Sequence, residues 1–147
     1  MKKRLLNHCI QVAHSKANAL ESELDATRES TTSESKSTAG DKHETGRAMM
    51  HLEQEKLHKQ LAEAQTIVAE LEMIELDQPC QTVQKGALVQ TNRTTFFIAV
   101  GLGKISVNRK DVFVISSQSP IGKQMLGKSS GESFNMNGTE YVITSVE

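Results

Sequence analysis

Tryptophan is absent from this chain, aromatics make up only 3% of it, and none of the four Phe and one Tyr occurs before residue 95. An aromatic-free first half and an aromatic-bearing end argue for two kinds of structure rather than one uniform fold. Cysteine is scarce too. Cys9 and Cys80 are too few for a disulfide framework and their spacing matches no metal motif, so they read as reduced thiols. Charge of neither sign is in excess: 17 basic and 18 acidic residues give a net charge of −1, which excludes a nucleic-acid binder of the strongly basic kind. No apolar run approaches the length of a membrane span. The Met1-Lys2-Lys3-Arg4 start has the charge of a signal-peptide n-region, but Asn7, His8 and Gln11 interrupt the apolar stretch that should follow. The expectation is a cytoplasmic protein with no membrane partner, built of one or two small domains in 147 residues.

Two mirrored seams dominate the first half. One reads Leu6, Ile10, Ala13, Ala17, Leu20, Leu24, Thr27, Thr31; the other reads Met50, Gln54, Leu57, Leu61, Ala64, Val68, Leu71, Glu75, with Ile74 beside the last. Both step alternately by 3 and 4, the spacing of coiled-coil a and d positions. Paired in reverse, from Leu6 with Glu75 to Thr31 with Met50, every pair of numbers sums to 81. A constant sum is the arithmetic of an antiparallel hairpin, folded here between Gly40 and Asp41 and closed within one monomeric chain. Residues about 3–33 contain neither Gly nor Pro and are rich in good helix formers, as are residues about 44–76 apart from Gly46. Thirty helical residues span roughly 45 Å. Cys9 and Cys80 lie near the two ends of this hairpin, within possible reach of each other at its base. The seam is Leu-rich near the open end and thins to Thr27, Thr31 and Gln54 toward the closed one, which predicts a marginally stable tip.

Asp41 and Glu44 stand at that tip. Asp-x-x-Glu is a capping-box pattern, with Asp41 as N-cap of the second helix and Glu44 at N3. Carboxylates also suit the positive end of a helix dipole. Two carboxylates one turn apart can equally share a hard cation, with water and a substrate phosphate completing its shell. The two roles are compatible. Lys42, His43 and Arg47 surround the pair and can neutralise it or touch a phosphate.

Asp77-Gln78-Pro79 is expected to stop the second helix, because proline lacks a donor and biases its predecessor away from helix. Period-two patterns follow. Strands are expected at 86–91, 94–100, 112–116, 134–136 and 140–146, with an Asn92-Arg93 turn and the tight-turn dipeptide Asn137-Gly138. Tyr141 and Ile143 fall on one face of the last strand, and Val142, Thr144 and Val146 on the other. Ser119 as N-cap, Pro120 at N1 and Gly127 at C′ bound a two-turn helix whose Ile121, Met125 and Leu126 should cover the sheet. Gly101 and Gly103 read as a plain turn, since neither the Walker nor the Rossmann spacing is complete. No catalytic constellation is present, and all five His precede residue 60. The expected class is α+β: an antiparallel coiled-coil hairpin over 1–78, a linker over 79–85, and a small antiparallel β domain with one short helix over 86–147.

The run 119–131, SPIGKQMLGKSSG, followed by a hairpin ending in YVITSVE, resembles the C-terminal domain of bacterial Gre-type transcript cleavage factors. Those pair an N-terminal antiparallel coiled coil with a C-terminal domain of FKBP-like fold, and carry an acidic Asp-x-x-Glu at the tip, where Asp41 and Glu44 stand here. The resemblance implies a transcription elongation factor whose partner is RNA polymerase, and which is not an enzyme alone. It implies that the C-terminal domain docks on the rim of the polymerase's secondary channel while the coiled coil passes down it. Asp41 and Glu44 would then help hold the second catalytic Mg²⁺, shared with the polymerase and not bound by the free protein, so that the polymerase's own centre hydrolyses backtracked RNA. The nascent RNA 3′ end and the DNA template are met only indirectly. In the family the acidic pair is usually followed by Asn and, a few residues on, by Tyr; here Thr45-Gly46-Arg47-Ala48-Met49-Met50 follows Glu44. A channel-binding regulator without cleavage activity shares these features, and a non-transcriptional coiled-coil adaptor shares the rod alone. An FKBP-like fold also raises prolyl isomerase activity, which is not expected here because one Tyr and no Trp supply few pocket aromatics.

Overall fold

The computed structural model describes residues 1–34 and 40–147, with side chains described over 1–28 and 46–147. Two long helices come first, α1 (Lys2–Glu34) and α2 (Gly40–Glu72). They are followed by β1 (Leu88–Thr91), β2 (Thr95–Ala99), β3 (Gly103–Val107), β4 (Lys110–Ser116), α3 (Pro120–Met125), β5 (Ser133–Met136) and β6 (Thr139–Val146). The expected α+β class, two long helices and then a small sheet with one short helix, is the architecture found. The chain forms two compact units: Gln11–Val68, and Met1–Ile10 together with Ala69–Glu147.

The Gln11–Val68 unit is held by the seam. Along α1, Ala13, Ala17 and Leu24 are buried and Leu20 and Thr27 half-buried; along α2, Leu57, Ala64 and Val68 are buried and Met50, Gln54 and Leu61 half-buried. Most residues between them are exposed, so one stripe per helix is shielded, as heptad packing requires. Lys16 and Leu20 line a common groove with Gln60, Glu63, Ala64 and Ile67, which sets 16–20 opposite 60–67 as the sum of 81 demands. Direction follows from reach. Five residues, 35–39, join the helices and extend to at most about 20 Å, whereas a parallel return along a 33-residue helix needs roughly 50 Å. Helices sharing one compact unit across so short a connection are antiparallel. The expected fold point between Gly40 and Asp41 falls inside α2, which begins at Gly40, and residues 35–39 lie outside the described residues, as does the side chain of Thr31. Seam arithmetic fixes a register, not the length of a connection.

The other unit is a six-stranded sheet ordered β3-β4-β2-β1-β6-β5. Neighbours are antiparallel except β2 and β4, which run parallel with Phe97 opposite Val114. Both faces are buried, which is why β2 reads as an unbroken apolar run. On one face Val89, Phe96, Ile98, Phe134 and Ile143 form a core with Cys80, Val83, Ala87 and Met125. On the other lie Leu88, Phe97 and Val114, each at most 2% exposed. Met1 lines a cleft with Leu88, Gln90 and Val112, and Leu5 and Cys9 are fully buried in this unit.

Several sequence expectations need correction. α2 stops at Glu72, so Glu75, the expected partner of Leu6, lies beyond the helix, and Pro79 is not what ends it. The Ile74 N–H still reaches Leu71 O at 3.2 Å, after which half-buried Ile74 and Leu76 alternate with exposed Glu75. This stretch packs on Gly86, where a Cβ would meet Ile74 Cγ2 at 3.4 Å and the Glu75 carbonyl at 3.5 Å. Gly86 itself, with φ +91°, is a turn and not a strand start. The Gly101–Gly103 region is no plain turn either: Gly103 opens β3, which the pattern does not announce. β3 returns into β4 through Asn108 (φ +53°) and Arg109 (φ +63°), the left-handed pair of a type I′ turn with no glycine in it. Asn137 and Gly138, also both at positive φ, make the expected turn between β5 and β6. The pairing of β1 with β6 slips between Gln90 and Thr91, leaving Thr144 as a bulge. Val146 consequently packs on the Ile143 core, not on the opposite face as strict alternation implies.

Candidate functional site

Asp41 and Glu44 belong to α2, which begins at Gly40, so Asp41 stands inside the first turn and not at the expected N-cap position; their side chains, with those of Lys42 and His43, lie outside the described residues. The described support beneath them is the upper seam, with Gly46, Met50 and Gln54 half-buried and Leu57 buried. The chain leaves the Gln11–Val68 unit at Gln11 and Val68, so the start of α2 belongs to the opposite, closed end. The 24 residues from 11 to 34 make roughly 36 Å of helix between the two ends. A pair of carboxylates supplies hard oxygen donors, which suit Mg²⁺ but fill only part of an octahedral shell. No group of three or more His, Cys, Asp or Glu gathers to hold a metal among the described residues. Arg47, Ala48, Met49 and Leu52, just beyond the pair, are all exposed.

The second concave feature lies where α3 meets the sheet. Ser119 Oγ accepts from the Gly122 N–H at 3.1 Å and donates to Ser116 O at 2.6 Å, Pro120 opens the helix, and Gly127 at φ +80° follows its end. Gly122 is buried against the chain: a Cβ there would stand 2.2 Å from Ser116 O. Met125 is fully buried and Ile121 half-buried as expected, but Leu126 is 41% exposed and does not cover the sheet. Ile121 joins Thr94, Phe96, Phe113, Ile115 and Tyr141 around an apolar cup of about 230 Å³. The aromatics are few but concentrated. Phe96 lies 6.1 Å from Phe113 and 6.0 Å from Tyr141, and Tyr141 stacks on Phe134 at 5.0 Å. Arg93 rides over the Tyr141 ring at 6.0 Å and donates to Glu140 O. Four of the five aromatics thus converge on one place, a clustering that composition conceals.

Cys9 and Cys80 are both buried free thiols. Burial pushes the Cys9 thiol up to about 11. Cys80 Sγ accepts from Gln84 Nε2 at 3.3 Å. Both cysteines are buried packing residues. No helix among the described residues is long and apolar enough to cross a membrane.

No family model matches the chain, and no curated protein matches it. Among solved structures it is similar to that of the transcription factor Gfh1, at 16% identity and a TM-score of 0.36, over 89% of this chain and 92% of that one. It is similar also to GreA factor homolog 1 (Gfh1) of Thermus thermophilus, at 13% identity and a TM-score of 0.36, over 94% of both chains. A third is Gfh1 of Thermus aquaticus, at 17% identity and a TM-score of 0.35, over 90% of this chain and 94% of that one.

Proposed function

We propose that this chain is a Gre-like transcription factor that binds RNA polymerase and brings Asp41 and Glu44 to the polymerase's active centre, where backtracked RNA is cleaved. One observation carries the reading: two long antiparallel helices whose register leaves a carboxylate pair at their closed end, joined in sequence to a β unit with the SPIGKQMLGK helix. A narrow two-helix rod can enter a channel that a globular domain cannot. Asp41 and Glu44 lie three residues apart on one helix, α2, and so on one side of it. The apolar cup beside α3 is a surface by which the β unit can dock. Asp41 and Glu44 are the residues that would hold Mg²⁺, which supplies charge neutralisation and water activation in phosphoryl hydrolysis. Their share is to donate oxygens; the remaining donors belong to the polymerase and its RNA. Arg47 is exposed nearby and suits a phosphate contact.

A second reading, a channel-binding regulator without cleavage activity, is favoured by one feature: Gly46 and Ala48-Met49-Met50 follow the acidic pair, with no Tyr among them. Co-purification with the cognate polymerase, then a cleavage assay on backtracked complexes, separates the readings. Binding with shortening of the RNA supports the first. Binding without shortening at any Mg²⁺ concentration supports the second. Absence of binding overturns both and leaves the coiled-coil adaptor.

A further inference from the structure

We propose that Met49 and Leu52 form an apolar foothold by which the tip-proximal part of α2 seats on apolar protein side chains lining the cavity that the tip enters. The inference rests on the polymerase-binding reading above and deepens it by naming a contact. Met49 is 67% and Leu52 66% exposed, whereas among the other described large hydrophobics of the Gln11–Val68 unit none is more open than Val12, at 37%. The two lie three residues apart, on one side of α2. They stand off the seam, whose members Met50 and Gln54 are shielded. Farther along, the outward positions of α2 are polar: Glu53, Glu55, Lys56, His58, Lys59 and Glu63 are exposed. Apolar exposure on α2 is therefore local to the stretch next to Asp41 and Glu44, and hydration alone does not favour it there.

The chemistry of the patch narrows its occupant. Single-stranded nucleic acid is gripped by aromatic stacking and basic grooves, and this unit contains no aromatic residue. An anionic membrane surface calls for a polar face dominated by Lys and Arg beside the apolar one, whereas the exposed charges around this patch are mixed, Arg47 and Lys56 with Glu53 and Glu55. A second copy of the chain would have to be held by an area on the order of a few hundred Å², against about 800 Å² per partner in a stable complex. An apolar protein wall remains, met by a probe already anchored elsewhere on the same partner. Methionine, unbranched and polarisable, fits such an adaptable contact.

The test uses the full chain and cognate polymerase. Met49→Gln with Leu52→Gln keeps good helix formers at exposed positions, so helical circular dichroism and melting should not change, while the dissociation constant for polymerase should rise at least tenfold. Glu55→Gln with Lys59→Gln, also exposed, should leave it within twofold. In parallel, a benzophenone amino acid in place of Leu52 should cross-link to a polymerase subunit. Wild-type binding with unchanged affinity for the Met49/Leu52 variant overturns the foothold and leaves the proposed function standing. Cross-linking to RNA or to a second copy also overturns it. Failure of the wild-type chain to bind overturns both.

Discussion

Replacing Leu24 with alanine should destabilise the hairpin by about 2–3 kcal/mol. Leu24 and its seam partner Leu57 are each 2% exposed. Truncation removes three carbons from a buried site, and at about 0.8 kcal/mol per methylene the transfer loss alone is about 2.4 kcal/mol. A rigid cavity would add to this, as in large protein cores where Leu→Ala costs about 2–5 kcal/mol. A two-helix seam is open along both flanks, so water and neighbouring side chains relax into the gap and the total should stay in the lower half of that range. Leu20 is only half-buried, and the same truncation there should cost about half as much. With no tryptophan to report, urea unfolding is best followed by helical circular dichroism at 222 nm. A double-mutant cycle of Leu24→Ala with Leu57→Ala should give a coupling above about 0.5 kcal/mol, since the residues share one layer. Equal costs at Leu20 and Leu24, or additive effects at Leu24 and Leu57, would refute the register.

Cysteines introduced as Leu20→Cys and Leu61→Cys, with Cys9 and Cys80 replaced by alanine, should oxidise within one chain; covalent dimers alone on a gel would mean that the seam is intermolecular. Gly122→Ala should destabilise α3 more than Ser119→Ala does, because its Cβ would stand 2.2 Å from Ser116 O whereas a lost N-cap costs about 1 kcal/mol; melting curves that rank them the other way contradict the close approach. The folded state holds the Cys9 proton more tightly than the unfolded chain does, with the thiol raised from 9.0 to about 11. This contribution to stability is intact below about pH 9 and lost as pH rises from 9 toward 11. Cys9→Ala should flatten the fall in melting temperature over that window, and an identical fall in the variant would place its cause elsewhere.

The hairpin was legible because its information is one-dimensional: a 3–4 step on each helix and a constant sum require no knowledge of the rest of the chain. The Asn137-Gly138 turn and the Ser119-Pro120 helix start were legible for a similar reason, since each is local backbone chemistry. What escaped the sequence is decided by contacts between distant residues. α2 stops early where Ile74 and Leu76 pack around Gly86. Leu5 and Cys9 are fully buried beside the heptad positions because the first ten residues belong to the sheet-bearing unit. β3 hides because its Asn108-Arg109 turn adopts left-handed backbone without glycine, and Val146 changes face through a bulge at Thr144. The aromatic cup needed the sheet order to bring Phe96, Phe113 and Tyr141 together. A signal for the Met49 and Leu52 patch was present, two large apolar residues off the seam, and reading only the seam passes over it.

The acidic pair is tested most directly by Asp41→Asn in polymerase-dependent RNA cleavage, with stability and polymerase affinity measured on the same preparations. Asp41 stands inside the first turn of α2, where neutralising a carboxylate costs at most about 1 kcal/mol of helix-dipole stabilisation, so a purely structural role leaves polymerase affinity and cleavage unchanged. Asparagine removes a charged oxygen ligand from a hard cation that prefers carboxylate. The account predicts stability lowered by no more than about 1 kcal/mol, unaltered binding through the β unit, and cleavage reduced by about tenfold or more. Full cleavage by the Asp41→Asn chain would contradict it and leave a charge in the first turn of α2 as the whole role of this residue.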